Sequence, residues 1–577
     1  MLDLSRVPDL GEALRDALFT FPTNTALIEC DRRRETGRWS FREARDESER
    51  VTARLQARGM EPGARVAILM SNQARWILSG LGVFQGGGVL VPLDYKLTAP
   101  EQAALLRHCR PTILITEWAT WRTLRDQELP AGLTVLVSGE APKRLPASSE
   151  GAPTHAHEPW DAPVESKPRF VTRGRADVAC IVYSSGTGGT PKGCLLTHGN
   201  YLAQAEMLGR LYPMEEGETY FSILPTNHAI DFMCGFLLPL MFGGTIVHQR
   251  TLRPEFLAAT MKDIGITWMA LVPMVLKSLE SKLRERLDKL PDWNRRVLDG
   301  LIAVNDRLTA RRPNHAISRR LLGPVHEAFG GELKTLFCGG AFVDRASADF
   351  FAELGIPVAI GYGLTEAGTV ITVNDLSPYR GDSVGAPLPG LEVELRGDDG
   401  GAVALGEIGE VVVRGPTVMK GYLDEPELTA ETLVDGWLHT GDLGHFDASG
   451  HLHLVGRRKN MIVTAGGKNV YPEDIEHAFE DLPEVEEHAL FASGYLFREQ
   501  PGSERLVLVL RTESGQLGAE LLDELRMRNR GLADYKRVEA VLAVAEEFPR
   551  TASLKVKRGA LAEQLREACD AEALITL

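Results

Sequence analysis

The sequence has 577 residues, of which 44% are hydrophobic and 25% are charged, values typical of a globular protein and not of a disordered or fibrous one. Single hydrophobic cores stop growing beyond roughly 250–300 residues, so a chain of this length is expected to hold more than one domain. Its formal net charge of −15 lacks the basic footprint of nucleic-acid-binding proteins and argues against that class.

Neither the N-terminal segment nor the longest apolar run predicts targeting or membrane insertion. The start, MLDLSRVPDLGEAL, lacks the basic and apolar regions of a signal peptide. The longest charge-free apolar run, residues 232–247, is shorter than the about 20 residues of a spanning helix and contains Pro239 and Gly243. We expect it to be a buried helix followed by a buried strand. Seven scattered cysteines without metal-like spacing favour reduced, buried thiols, and these features together predict a cytoplasmic protein.

Strand and helix patterns alternate as far as about residue 385. RVAILM, VLVPLD and TILIT are predicted strands, separated by the helical patterns NQARWILSGLGVF and APEQAALLRHC. Further predicted strands in the same alternation are ACIVYSS, GTIVHQR, ITWMALV, LKTLFCG and IPVAIGYG. Alternation of this kind predicts βαβ units and a mainly parallel, covered sheet. Residues 141–168, rich in Pro, Ser and Glu, are predicted to be a loose surface connection.

The pattern changes after about residue 385. LEVELRGDDG, GEIGEVVVRG and GHLHLVGR predict a smaller β-rich unit, and HALFAS, RLVLVLRT and GAELLDELRMRN predict a compact α+β domain beyond it. The predicted fold class is therefore α/β. We expect a large N-terminal domain, residues 1–459, of parallel-sheet βαβ subdomains plus the β-rich subdomain, and a small α+β C-terminal domain, residues 460–577.

A glycine-rich stretch, YSSGTGGTPKG at residues 183–193, follows the strand pattern ACIVYSS and precedes the helix pattern HGNYLAQAEMLGRLY. A loop between a strand and a helix, here with Asn200 as a possible helix cap, is the usual setting for binding phosphate with backbone amides. It is not a Walker A loop, because Pro191 precedes Lys192 and Gly193 follows it. By itself the stretch fits an ordinary surface loop equally well.

SSGTGGTPKG resembles the phosphate loop of the acyl-adenylate-forming (AMP-binding) superfamily, and four further motifs of that family follow in order. GYGLTE (361–366) resembles the adenine and magnesium motif, and TGD (440–442) the ribose motif. GRRKNMIVTAGGKNVYPEDIE (456–476) resembles the hinge segment, and PRTASLKVKR (549–558) the C-terminal lysine motif. The sequence is identified as a member of this superfamily over essentially its whole length, and the glycine-rich loop is then a phosphate cradle.

The resemblance implies a two-step reaction with ATP, Mg²⁺ and coenzyme A. A carboxylate is joined to AMP with release of pyrophosphate, and a thiol then displaces the AMP. It also implies that the C-terminal domain is mobile and swings about a hinge between an adenylating and a thioester-forming pose. The hinge residue is Asn460, where the family usually has Asp. Leu554 stands where the family usually has Gly, which puts the pose of the following lysine in doubt.

The same resemblance assigns the site residues. The implied nucleotide contacts are the triphosphate-loop residues Ser184, Ser185, Gly186, Thr187, Thr190 and Lys192, the adenine residues Gly339, Gly340, Ala341 and Tyr362, the ribose residues Asp442 and Arg457, and Lys459, Gly466, Gly467 and Lys468 of the hinge segment. The implied catalytic residues are Lys555, which bridges the attacking carboxylate and the α-phosphate, with Glu366, Thr365 and His228. Thr187 and Glu366 are the implied magnesium contacts.

Three features favour a long-chain fatty acid as the substrate. TAGGKNVYPEDIE resembles the segment after the hinge in bacterial long-chain fatty-acid–CoA ligases. LPTNHAID (224–231) resembles an acyl-pocket motif with His228 at its gate, although a buried structural histidine is the alternative. Finally, the helical stretch 281–322 resembles an insertion seen in long-chain members. An acyl-carrier protein remains an alternative acceptor of the acyl group, and a non-catalytic acyl or nucleotide sensor is an alternative of another class.

The stretch 281–322 is also locally basic, with eleven Lys and Arg against five Asp and Glu. It reads as an amphipathic helix. Such a charge run is commonly a solvated helical face. The other interpretation is a weak peripheral contact with anionic lipid at the inner face of the membrane.

Overall fold

The structure is a computed structural model that describes residues 4–142, 155–184, 191–463, 468–497, 505–550, 556–569 and 571–577. The chain forms two compact units, Met1–Val393 with Val413–Leu438, and Glu394–Val412 with His439–Leu577. The expected domain boundary between residues 459 and 460 lies inside the second unit and stays a prediction.

The helices of the described residues are α1 (Leu10–Thr20), α2 (Phe41–Gln56), α3 (Ala74–Gln85), α4 (Ala99–Cys109), α5 (Trp118–Leu124), α6 (His198–Leu211), α7 (Ala229–Phe232), α8 (Leu238–Met241), α9 (Pro254–Ile264), α10 (Pro273–Asp288), α11 (Asp292–Thr309), α12 (His315–Leu321), α13 (Gly323–Glu327), α14 (Arg345–Glu353), α15 (Pro426–Thr432), α16 (Pro472–Glu476), α17 (Ser493–Phe497), α18 (Ala519–Arg530) and α19 (Arg558–Ala568).

The strands of the described residues are β1 (Thr25–Asp31), β2 (Arg34–Ser40), β3 (Arg65–Leu69), β4 (Val89–Pro92), β5 (Ile113–Glu117), β6 (Thr134–Ser138), β7 (Glu158–Pro159), β8 (Val178–Ser184), β9 (Lys192–Thr197), β10 (Thr219–Ser222), β11 (Thr245–Gln249), β12 (Trp268–Leu271), β13 (Thr335–Gly339), β14 (Val358–Tyr362), β15 (Thr372–Val373), β16 (Ala386–Pro387), β17 (Glu392–Arg396), β18 (Gly409–Arg414), β19 (Leu433–Val434), β20 (Trp437–Phe446), β21 (Leu452–Arg457), β22 (Ile462–Val463), β23 (Asn469–Val470), β24 (Val485–Ala492), β25 (Leu506–Thr512), β26 (Ala540–Val544) and β27 (Ile575–Thr576).

Two sheets organise the first unit within the described residues. A seven-stranded sheet has the order β7-β6-β5-β3-β4-β8-β9, and a nine-stranded sheet has the order β16-β15-β14-β13-β12-β10-β11-β1-β2. The inner strands pair in parallel, and antiparallel pairs occur at the edges. Because helices cover parallel strands on both faces, strands such as β3 and β5 are almost fully buried. The α/β class and the predicted strands of this region are confirmed.

The setting of the glycine-rich loop differs from the sequence prediction. Ser184 at the end of β8 pairs with Lys192 at the start of β9 in an antiparallel ladder, so the loop joins two strands and not a strand to a helix. The reason is that Cys194 and Leu196 are buried against β8, which keeps the chain extended until α6 begins. Thr197, and not Asn200, is the N-cap of α6, and Asn200 completes its capping box.

The basic stretch 281–322 is not one helix. It comprises the end of α10, then α11 and α12, with Pro291 before α11 and Pro313 before α12. Proline ends helices because it lacks an N–H and fixes φ, which explains the breaks. On its inner side α11 packs Leu298, Leu301 and Ile302 against the core of the nine-stranded sheet.

The long apolar run and the connection after β6 both contain regular structure. Residues 232–247 form the predicted buried helix, here α7, a π-helical turn at Met233–Leu237 and α8, followed by the buried strand β11. The connection 141–168 is only partly loose, because β7 pairs with β6 and Trp160 is buried; residues 143–154 lie outside the described ranges. In the described part of the chain, no helix is long and apolar enough to cross a bilayer.

The second unit contains the predicted α+β arrangement. A five-stranded sheet joins β17, β18, β20, β19 and β21, most of whose residues belong to this unit. A four-stranded sheet follows, in the order β24-β25-β26-β27. Apolar cores lie on both of its faces, one with α16 and α18 and the other with α17 and α19.

Candidate active site

Glu366 lies on a short 3-10 helix, Thr365–Ala367, just beyond the carboxyl end of β14. Its Oε1 accepts hydrogen bonds from Ser184 Oγ and from the Tyr422 hydroxyl, both at 3.0 Å. Its backbone oxygen accepts from the N–H of Met419 at 2.8 Å. Segments distant in the sequence therefore fix this carboxylate where β8 ends.

The donors to Glu366 are neutral. Burial and the neighbouring Glu366 carboxylate raise the pKa of Tyr422, so its hydroxyl stays protonated and donating. Among the residues that the structure describes, no cation forms an ion pair with Glu366. The Nζ of Lys192 lies 5.4 Å from the centre of the Tyr422 ring, a cation–π distance. The two described side-chain donors to Glu366 are thus uncharged hydroxyls, and a lysine of the phosphate loop lies over the ring of one of them.

The residues around Glu366 fit a magnesium ion that is shared with phosphates. Mg²⁺ usually takes one or two carboxylates, substrate phosphates and several waters, and not a complete protein cage. Consistent with this, no group of three or more His, Cys, Asp or Glu side chains in the described ranges could hold a metal. One carboxylate with neutral partners suits such a site. Thr187, the other predicted contact, lies outside the described residues.

The predicted adenine residues lie at the carboxyl ends of two neighbouring parallel strands. Gly339 ends β13 and pairs with Gly361 in β14. A Cβ on Gly339 would lie 2.7 Å from the Gly361 oxygen, so the close approach of these strands requires glycine. Gly340 has a φ of +85°, Gly340 and Ala341 are exposed, and Tyr362 is buried at the end of β14. Ligands of open α/β sheets bind at this edge.

His228 follows the carboxyl end of β10, a strand of the same sheet as β13 and β14. It is the N-cap of α7, and its Nε2 lies 3.7 Å from Asp94 Oδ2, just beyond β4. Its side chain is 32% exposed, although its Nε2 atom is buried. Thr369 Oγ1 donates to the backbone oxygen of Ala229 at 3.3 Å, which attaches the start of α7 to the loop after Glu366.

In the second unit, Asp442 and Arg457, the two implied ribose residues, form an ion pair. They face each other in β20 and β21, and Arg457 Nε lies 2.8 Å from Asp442 Oδ1. The N–H of Asp442 donates to Thr440 Oγ1 at 3.1 Å, and Thr440 Oγ1 donates to the Val411 oxygen at 2.7 Å. TGD is thus a fixed bend within a strand, with a buried carboxylate and a charged partner.

The hinge segment is only partly described. Lys459 is exposed on the 3-10 helix Arg458–Asn460, and Lys468 is exposed as well. Asn460 Nδ2 donates to Glu473 Oε1 at 2.8 Å. The predicted site residues outside the described ranges are Ser185, Gly186, Thr187, Thr190, Gly466, Gly467 and Lys555, which stay predictions.

Tyr422 is the site residue that sequence reasoning missed. It pairs with Cys194 of β9 through an isolated β-bridge, which carries its hydroxyl to Glu366. No local pattern marks a tyrosine in KGYLDEP as a partner of a carboxylate far away in the sequence. The signal that could have identified Tyr422 is the pairing of its segment with β9, the strand that follows the phosphate loop.

Known proteins similar in sequence to this chain include several CoA ligases and synthases. The chain is 30% identical to a feruloyl-CoA synthase of Amycolatopsis sp, covering 88% of this chain and 90% of that protein. It is 28% identical to a long-chain-fatty-acid–CoA ligase of Gallus gallus, covering 80% of this chain and 62% of that protein.

Among solved structures, o-succinylbenzoate CoA synthetase of Bacillus subtilis shares the fold. The complex with its acyl-adenylate intermediate has a TM-score of 0.74 at 22% identity, covering 98% of this chain and 99% of that one. The complex with ATP and a magnesium ion has a TM-score of 0.72 at 23% identity, covering 96% and 99%. The AMP-binding enzyme family matches residues 14–423, most of the chain, and the protein therefore belongs to the AMP-binding enzyme family.

Proposed function

We propose that the protein is an AMP-forming acid–CoA ligase. It joins a carboxylic acid to AMP, releases pyrophosphate, and passes the acyl group to the thiol of coenzyme A. The observation that carries the proposal is the Glu366 carboxylate, which accepts hydrogen bonds from Ser184 and from Tyr422, the tyrosine whose ring lies 5.4 Å from Lys192 Nζ. The names of the relatives support coenzyme A as the acceptor, since both are CoA ligases or synthases.

The nucleotide-binding residues and Lys555 act together in the proposed first step. A carboxylate oxygen of the acid attacks the α-phosphorus, and the bond to pyrophosphate breaks. Lys192 and the other loop residues bind the triphosphate, Tyr362 and residues 339–341 hold the adenine, and Asp442 accepts hydrogen bonds from the ribose. Magnesium, held by Glu366 and Thr187, would spread the triphosphate charge. Lys555 stabilises the charge that builds up between carboxylate and α-phosphate.

In the second step the thiol of coenzyme A loses its proton to solvent and becomes the nucleophile. The thiolate sulfur of coenzyme A attacks the acyl carbon, and AMP leaves with its electron pair. Lys555→Ala should slow acyl-AMP formation by about 10²–10³, because a preorganised charge-stabilising donor is lost. Transfer from preformed acyl-AMP to coenzyme A should stay nearly unchanged. The matched control is Lys557→Ala, and equal slowing of both half-reactions would contradict the assignment.

Within this activity we propose a long-chain fatty acid as the substrate. The support is the buried apolar segment from α7 to β11 behind His228, together with the Gallus gallus relative. An aryl acid is the second candidate, because the feruloyl-CoA synthase is 30% identical over 513 residues.

Pyrophosphate release across a panel of acids separates these candidates. Palmitate should give the highest kcat/KM, well above ferulate, acetate and amino acids, when coenzyme A and Mg²⁺ are present. A preference for ferulate would overturn the fatty-acid assignment and leave the ligase activity standing. Product formation only with a phosphopantetheine carrier protein would replace coenzyme A as the acceptor. Release with no acid at all would contradict the ligase activity.

We further propose that α11 makes the peripheral membrane contact. Its outer face carries an exposed apolar stripe at helical spacing, Trp293, Val297, Val304 and Leu308, with 69, 50, 47 and 58% exposure. The exposed guanidinium groups of Arg296 and Arg307 follow the same side of the helix. An apolar stripe with tryptophan and flanking arginines suits the surface of an anionic bilayer.

Vesicle co-sedimentation tests this contact. The protein should bind vesicles that contain phosphatidylglycerol, and binding should fall at 1 M salt, where the screening length is about 3 Å. Trp293→Ser combined with Leu308→Ser should abolish binding, whereas the control pair Leu405→Ser and Ile408→Ser, also exposed, should not. Equal binding by both pairs of variants would show that the α11 face is only a solvated surface.

A further inference from the structure

A carboxylate is completely buried in the segment that carries His228. Asp231 is 0% exposed, and its Oδ2 accepts from Ser222 Oγ at 2.7 Å and from Thr226 Oγ1 at 3.0 Å. Its Oδ1 accepts from the Tyr220 hydroxyl at 3.3 Å. Among the described residues, no cation pairs with it. Burying an unpaired charge costs free energy, so its presence calls for a function.

The fold makes room for this carboxylate. A Cβ on Gly235, one turn along the helix, would lie 2.5 Å from Asp231 Oδ1. The same turn is the π-helix Met233–Leu237, a helix form that is rare and occurs mostly at functional sites. Glycine and the wider turn therefore accommodate Asp231 where an ordinary helix with a side chain would exclude it.

A second polar residue clamps the same segment from the other sheet. Asn72, just beyond β3, donates from Nδ2 to the oxygen of Leu224 at 2.6 Å and to Ser222 Oγ at 3.0 Å. Its Oδ1 accepts from the N–H of Thr226 at 2.9 Å. Because Ser222 Oγ accepts from Asn72, its own hydrogen is directed to Asp231. Residues 222–231 are thus fixed at both ends by one hydrogen-bond network.

The clamped segment contacts the predicted nucleotide site. The side chain of Ile230 lies next to Gly339, 3.6 Å from where a Cβ on that glycine would be. The Ala229 oxygen accepts from Thr369, in the loop that follows Glu366. A shift of the segment would therefore move His228 and the wall beside the nucleotide together.

We propose that Asp231 is a positioning residue, whose ionised carboxylate holds residues 224–231 so that His228 and Ile230 shape the acid-binding side of the site. This inference rests on the proposed ligase function. It assigns Asp231 no contact with the reacting atoms.

The clamp is the hydrogen-bond network in which Asp231 and Asn72 hold residues 222–231. The number of hydrogen bonds to Asp231 makes it dependent on the ionisation of that carboxyl group. Three hydroxyl groups donate to Asp231, which an ionised carboxylate can accept in full. A protonated carboxyl must itself donate, which leaves one hydroxyl hydrogen without its acceptor. Burial raises the pKa of Asp231 to about 7 despite the hydrogen bonds from Ser222, Thr226 and Tyr220, which lower it. Tyr220 and Cys234 are the titratable groups facing it in the described ranges. The clamp should therefore loosen as the pH falls below about 7.

The test compares two buried carboxylates at opposite ends of β10. Asp231→Asn removes the charge at the carboxyl end. Glu218→Gln is the matched control: Glu218 immediately precedes β10, is buried, and accepts from Trp268 Nε1 at 2.8 Å and Lys334 Nζ at 2.5 Å. At pH 8, Asp231→Asn should raise KM for the acid about tenfold, because hydrogen bonds to a charged group are lost. KM for ATP should stay within about twofold of the wild-type value.

The pH profile distinguishes positioning from mere stabilisation. In the wild type, KM for the acid should rise as the pH falls through about 7, and in Asp231→Asn it should be flat. Ser222→Ala and Thr226→Val, which keep the carboxylate, should each give part of the effect and serve if Asp231→Asn does not fold. Equal changes of KM for acid and ATP, or a change matched by Glu218→Gln, would overturn the proposal.

A readout without turnover separates this inference from the ligase proposal. Hydrogen exchange should quicken in residues 224–231 of Asp231→Asn and not in those of Glu218→Gln. Unchanged exchange in this segment would overturn the clamp even if the enzyme is a ligase. Conversely, a wild type that activates no acid would refute the ligase proposal, while faster exchange would still establish the clamp.

Discussion

Each unit contains one carboxylate that the sequence assigns to nucleotide binding, and the two carboxylates are held differently. Glu366 accepts from two neutral hydroxyls, whereas Asp442 forms an ion pair with Arg457 at 2.8 Å. Neutral donors orient a carboxylate and leave its charge for a cation. A guanidinium compensates the charge and leaves an oriented acceptor for neutral hydroxyls. The difference in partner charge fits the roles proposed for the two acids, magnesium binding for Glu366 and ribose binding for Asp442.

The largest effect should come from removing the charge of Glu366. Glu366→Gln keeps the shape and the oxygen acceptor but cannot bind a cation as a carboxylate does, so pyrophosphate release should fall by about 10²–10³. Added Mg²⁺ should not restore it. The control is Glu392→Gln, an exposed carboxylate paired with Arg414 in the same unit. A loss below about threefold in Glu366→Gln would contradict the metal assignment.

Asp442→Asn should act on nucleotide binding. A charged acceptor is lost, and Arg457 loses its partner, so KM for ATP should rise about 10- to 100-fold with a smaller change in kcat. The penalty should shrink when 2′,3′-dideoxy-ATP replaces ATP, since that nucleotide offers no ribose hydroxyl. An equal penalty with both nucleotides would mean that Asp442 does not contact the ribose.

Tyr422→Phe tests whether one neutral donor matters. Glu366 would keep the Ser184 hydrogen bond, so pyrophosphate release should fall only about tenfold, the cost of one hydrogen bond to a charged group. Ser184→Ala should behave alike, and the double variant should lose more than either. If Tyr422→Phe alone lowered pyrophosphate release as much as Glu366→Gln, the tyrosine would do more than orient the carboxylate, which would contradict its assignment as one of two neutral donors.

The smallest expected effect is on the pH dependence of stability at Asp231. Like Glu366, Asp231 has neutral donors, but it is fully buried. Its raised pKa means that the folded state binds the proton more tightly than the unfolded state. This stabilisation is complete below about pH 4 and is lost as the pH rises through about 7. The free energy of unfolding of Asp231→Asn, relative to wild type, should therefore be higher at pH 8 than at pH 5. Urea unfolding at both values measures it, and a constant difference would contradict the raised pKa.

Local patterns predicted most of the fold. Runs such as RVAIL and TLFCG are apolar strands bounded by helices, and the ordered motifs lie at or just beyond the end of β14 for Tyr362 and Glu366 and within β20 for Asp442. What failed was pairing between distant segments. The strand KGCLLT was not predicted, because only its pairing with β8 makes it recognisable, and the position of Tyr422 depends in the same way on its bridge to β9. Asp231 was visible only as one letter of a motif, because its significance depends on hydroxyls from three positions that meet only in the folded chain.

The burial of the thiols has a practical consequence for labelling. Six cysteines are buried and only Cys569 is partly exposed, while burial raises the pKa of Cys109, Cys234 and Cys338 to about 12. Maleimide dyes react with thiolates, which these residues hardly form near neutral pH. The wild-type chain is thus an almost silent background for fluorescence. New cysteines at exposed positions, such as Leu252 in the first unit and Leu405 in the second, would carry a dye pair without removal of the native thiols.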